Sequence, residues 1–194
     1  MTERDYWDPL PTARAAVGTP YDDGPYRKVL VAPLDTTFRG VWSERNWRNV
    51  PGPFYGAQTD TCLTGRLHAA DLVLYDEGGQ EFVYRQPTDQ AAVYRLLMAA
   101  EEETFLGYGA DGDDHWTPDA VRAWWRDRGR VLESIRQGRD EWRDGTHRLE
   151  RDQFAGLAEY RRYIEHGLED HLRRYSFWLD HRRDRRPGET LPDL

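Results

Sequence analysis

The 194-residue chain has a single cysteine, Cys62, and a single lysine, Lys28. One thiol forbids an internal disulfide, and it cannot hold an iron–sulfur cluster, which takes about four thiolates. Cluster-based electron transfer is therefore excluded for the isolated chain, and no other cofactor is indicated. Long apolar runs are also missing: none approaches the roughly 20 residues that cross a bilayer. The N-terminus, MTERDYWDPL, lacks the basic-then-apolar order of a signal peptide. A cytoplasmic chain with no membrane partner is the expectation. Basic residues are outnumbered, 27 Lys and Arg against 35 Asp and Glu, for a formal charge of −8. That balance argues against nucleic acid, whose binding needs a net basic face to release phosphate counterions. It suits a small molecule or a protein partner, a basic one in particular.

What the chain does have is aromatic bulk, with eight Trp and eleven Tyr to build a core from a composition only 38% hydrophobic. Its length suits one domain. Residues 1–27, with Pro9, Pro11, Pro20 and Pro25, read as an irregular N-terminal arm, residues 28–186 as a single α+β domain and residues 187–194 as a C-terminal tail. Lys28–Leu34 reads as a short strand closed by Pro33. Residues 36–49 leave strand and short helix both open. Leu72–Tyr75 and Glu81–Tyr84 flank a Gly78-Gly79 turn and predict a β-hairpin.

Helical spacing then takes over. One helix is predicted after Thr88 and ends near Gly107; a second runs from Thr117 to about Arg136. A long third runs from about Leu149 to Arg183, with Leu157, Tyr160, Ile164, Leu168, Leu172, Tyr175 and Leu179 inward. The fold class so predicted is α+β: a small antiparallel sheet with a β-hairpin, followed by three helices. The arginines at 182, 183, 185 and 186 fall where the last helix should end, offsetting its dipole or offering a docking patch.

Three places could carry chemistry. In GADGDDHWTP, Asp111, Asp113 and His115 alternate like the first ligands of a calcium loop, but Trp116 stands where that loop needs glycine and no glutamate closes it. The competing reading makes Asp113 and Asp114 acids before a helix that Thr117 caps, with Pro118 at its first position; no metal is favoured. The loop VPGPFYGAQTDTCLTGRLH fixes its backbone with Pro and Gly, then offers Tyr55, Thr59, Asp60, Thr61, Cys62, Arg66 and His68 in close succession. Those side chains either bind a ligand or satisfy the loop's own amides. On the last helix, His166 and Asp170 have the four-residue spacing of helical metal ligands, beside a charged face that solvent alone explains.

The segments NWRNVPGPFYGAQTDTCLTGRLHAADLVLYDEGGQEFVYRQP and DGDDHWTPDAVRAWWRDRG resemble a group of small proteins from Streptomyces and related actinobacteria that are often labelled "ferredoxin". The scarcity of lysine and isoleucine agrees with the GC-rich genomes of such organisms. The label conflicts with the lone Cys62, and the resemblance carries over no catalytic residue.

The expectation is a ligand- or partner-binding protein with its site between the 51–68 and 109–116 loops, engaging Asp113, His115 and Trp116 from the second loop. The alternatives are a small enzyme on the same loops, metal-dependent or not, and an acidic immunity- or antitoxin-like protein that masks a basic toxin.

Overall fold

The computed structural model describes residues 5–22 and 28–194. The chain divides into two compact units, one of residues 8–112 and one of residues 113–194 together with 1–7.

The first unit opens with helix α1, Leu10–Ala16, inside the stretch read as an irregular arm. Pro11 lies in the first turn, where its missing N–H costs nothing, and Ala13 and Ala16 bury the inner side. Residues 1–4 and 23–27 of that arm lie outside the described residues. Strand β1, Pro20–Asp22, pairs antiparallel with β2, Lys28–Leu30. Residues 36–49 resolve as neither a strand nor one helix: a single turn, α2, spans Leu34–Thr37, and a 3-10 turn spans Trp42–Glu44.

Strand β3, Tyr55–Gly56, precedes helix α3, Gly65–Ala69. The hairpin is present as β4, Val73–Tyr75, and β5, Glu81–Val83, in the register Val73↔Val83. Asp76 builds its turn by accepting the amides of Gly78 (2.9 Å) and Gln80 (3.0 Å), and Gly79 takes the left-handed position at φ +79°. Helix α4, Gln90–Glu102, starts one residue later than Thr88 would set it: Asp89 is the cap and accepts the Ala92 amide at 2.7 Å. Strand β6, Tyr108–Gly109, returns to pair with β3, Tyr55↔Gly109 and Gly56↔Tyr108. The core of this unit packs Val93, Leu96, Leu97, Ala99 and Ala100 of α4 against Leu72, Val73, Val83 and Phe54.

The second unit is helical. Helix α5, Pro118–Arg126, is capped by Thr117, whose Oγ1 accepts the Ala120 amide at 3.2 Å, and α6 follows as Arg128–Glu141. Helices α7, Arg148–His166, and α8, Leu168–His181, complete it. The inner face read from Leu157 to Leu179 is buried throughout. The two long helices of the sequence reading are each broken once. Asp127, at φ −87° ψ 4°, divides α5 from α6, and Gly167, at φ −151° ψ −22°, divides α7 from α8. Apolar periodicity passes through both breaks because the helices on either side bury the same kind of stripe. Of the tryptophan pair, Trp125 is buried and Trp124 is half-buried.

The α+β fold class is thus overturned. Eight helices stand among the described residues, and the strands are two or three residues long in three separate two-stranded pairs. Each short apolar run is cut off by Gly, Pro or Asp before it can recruit a third strand, so no common sheet forms. No helix among the described residues is long and apolar enough to cross a membrane.

Candidate functional site

Polar side chains are buried in quantity only in the first unit, where Thr59, Asp60, Arg66, Glu81 and Glu103 are each at most 5% exposed. Burying so many polar groups is costly unless each is bonded, and here each is. Glu81, the first residue of β5, accepts the Gly65 amide at 2.7 Å and the Tyr108 hydroxyl, while its own amide donates to Thr59 Oγ1 at 2.6 Å. Burial pushes the Glu81 carboxyl up to about 7 against the pull of those two donors, and the charges of Asp60 and Glu103 add to the rise. Glu103, just past α4, accepts the amides of Asp60, Phe105 and Gly107. Asp60 accepts the Cys62 amide on one oxygen and the Thr104 amide on the other, both at 2.8 Å. Burial alone would raise Asp60, but the bonds from Thr104 and Cys62 outweigh it and hold the carboxyl below its ordinary value.

The consequence is geometric. One carboxylate grips both Cys62 and Thr104, so the loop after β3 and the loop after α4 form a single rim. Gly107 seals the join, since a Cβ there would lie 2.5 Å from the Gln58 carbonyl oxygen. Leu63 at φ +61° and Leu106 at φ +58° are left-handed without being glycine, one on each loop. Such conformations persist only where surrounding contacts enforce them. The rim presents Thr61 and Cys62, both exposed, beside Phe105, which is 71% exposed. The negative charge of Asp60 raises the Cys62 thiol above its ordinary value, with Glu103 and Glu81 adding to it. Cys62 is therefore a thiol at neutral pH, the opposite of an activated nucleophile.

No family model matches the chain, and comparison with curated proteins and with solved structures finds no match.

The sequence candidates thus separate by role. Thr59 and Asp60 face inward as scaffold. Arg66 does too, its guanidinium donating to the carbonyls of Ala70 (2.8 Å) and Val73 (2.6 Å). Tyr55 donates to Asp111 Oδ1 at 2.7 Å and to the Gly40 carbonyl, and burial followed by the Asp111 bond raises its hydroxyl well above the ordinary value. His68 is half-buried on α3. Thr61 and Cys62 alone of that loop's candidates stand fully at the surface.

Asp113, His115 and Trp116 belong to the second unit. There Asp113 is buried and accepts the Tyr175 hydroxyl at 2.6 Å, while His115 is exposed and Trp116 is buried. Asp113 thus does more than face a helix end: it ties the chain before α5 to α8, and Arg182 adds a 2.8 Å bond to its carbonyl. Among the described residues no three His, Cys, Asp or Glu side chains converge as metal ligands would. The His166 and Asp170 pairing fails for a local reason, because Gly167 ends α7 between them and Asp170 pairs with Arg174 instead.

Sequence reasoning missed Glu81, Glu103, Thr104 and Phe105. Glu81 was visible as an acid opening an otherwise apolar strand. Nothing distinguishes Glu103 from Glu101 and Glu102 before it.

Proposed function

We propose that the chain is a binding protein whose first unit engages a protein partner through the rim of Thr61, Cys62, Thr104 and Phe105. The observation that carries this reading is the shared carboxylate of Asp60, which fixes two loops as one surface and leaves a large aromatic ring standing out of it. A pre-ordered rim loses little conformational freedom on association, and aromatic residues, Phe among them, are enriched at the core of protein interfaces. The enzymatic reading has less support: the polar candidates are spent on internal bonds and the one thiol is held protonated. The 51–68 loop keeps its place in this reading, and the 103–107 loop takes that of 109–116.

The lone cysteine supplies the test. A benzophenone maleimide on Cys62 sits at the rim, and irradiation in extract of the source cells should give a discrete cross-linked species. Phe105→Ser should abolish that species. The same probe moved to Glu133 by Glu133→Cys in a Cys62→Ser background should not produce it. Identical adducts from both positions, or an adduct unchanged by Phe105→Ser, would overturn the proposal.

A further inference from the structure

A groove of about 500 Å³ runs between α6 and α7 in the second unit. Its floor is apolar: Ile135 is buried, and Leu132 and Phe154 are half-buried. Its walls carry the carboxylates of Glu133, Asp140 and Glu165 and four arginines: Arg136 and Arg139 on α6, Arg143 just past its end, and Arg161 opposite on α7. Three of these four are neutralised locally. Arg136 pairs with Glu133 (2.6 Å) and Asp140 (3.1 Å), Arg143 pairs with Asp140 (2.5 Å), and Arg161 pairs with Glu165 (2.8 Å).

Arg139 differs. Among the described residues it has no carboxylate partner; its guanidinium lies over the Phe154 ring at 4.6 Å, and its buried Nε has no hydrogen-bond partner. Stacking on a ring holds the planar fork in place while leaving its positive charge uncompensated. Of the four groove arginines, one guanidinium is thus kept out of ion pairing, at the edge of an apolar floor.

We infer that this groove binds an organic oxyanion carried on an apolar body, with the charged head on Arg139 and the body over Leu132 and Phe154. A guanidinium fork matches the paired oxygens of a carboxylate, sulfonate or phosphate ester, and the apolar floor removes the body of the ligand from water. A volume of this size holds a small aromatic or medium-chain aliphatic molecule.

The test uses 8-anilinonaphthalene-1-sulfonate, an aromatic body bearing a sulfonate, followed by fluorescence with the full-length chain. One saturable site per chain is expected, with affinity weakened about tenfold or more by Arg139→Gln. Partial unfolding raises dye binding, so a loss in Arg139→Gln reads the site and not a damaged fold. Octyl phosphate should displace the dye; octanol and inorganic phosphate at equal concentration should not. Absence of a saturable site, equal affinity in Arg139→Gln, or displacement by octanol or inorganic phosphate as effective as by octyl phosphate would overturn the inference.

Discussion

Raising the pH from 5 to 8 should destabilise the protein through Glu81, and the size of the loss follows from its surroundings. The carboxyl is fully buried, and its titration lies near 7 where an ordinary glutamate has 4.5. Its folded value is raised, so the folded state holds a proton that the unfolded chain releases earlier. The stabilisation is complete below the unfolded value of 4.5 and is lost as pH climbs through about 7. A rise of two to three units corresponds to about 3 kcal/mol between the two ends of that window. Asp60 does not obscure this, because its folded value is lowered and its contribution is lost only in acid, below the ordinary aspartate range. The assay is urea denaturation of wild type and Glu81→Gln at a series of pH values, taking the difference between the two so that groups titrating elsewhere cancel. Gln keeps an acceptor for the Gly65 amide but cannot ionise, so wild type should lose stability relative to the variant from pH 5 to 8, most steeply midway between the two values, at about pH 6, and levelling off above 7. A difference that stays flat across the window, or that grows in favour of wild type with pH, would refute the argument that burial governs this carboxyl.

Gly107→Ala should cost about 2 kcal/mol or more, because the new Cβ meets the backbone oxygen of Gln58, which cannot swing aside; thermal denaturation measures it. Tyr175→Phe should lower stability by about 1–3 kcal/mol, since Asp113 is buried and loses the hydroxyl that donates to it; a change below a few tenths would mean that bond contributes nothing. Thr117→Ala should cost on the order of 1 kcal/mol by exposing the first amides of α5, and an unchanged denaturation midpoint would show the cap to be ornamental.

The features that could be read from the sequence are those set by neighbours along the chain. The Thr117-Pro118 helix start, the Asp76–Gln80 hairpin turn and the inward stripe from Leu157 to Leu179 depend on spacing and local hydrogen bonds, and all are present. The features that could not be read either leave the apolar period unchanged or depend on partners far away in sequence. Asp127 and Gly167 stop helices whose apolar period continues unchanged on the other side, so periodicity alone fused four helices into two. The strands stayed too short to form a sheet because each found only one partner. In the candidate site, the crowding of Thr59, Asp60, Cys62 and Arg66 was visible, but their division into scaffold and surface was not. That division is made by Glu81 and Glu103, which reach the loop across 16 and 43 residues of chain.

The choice between a binding rim and a catalytic one is tested most directly by the ionisation of Cys62. Titration of its thiolate by ultraviolet absorbance in the native protein measures this with no background from a second thiol. Titration above the ordinary thiol value is expected, with a fall toward it in Asp60→Asn, where the largest opposing charge is removed. A native Cys62 that ionises below pH 7 would contradict the account, because a thiolate at neutral pH beside an exposed aromatic is the arrangement of a nucleophile.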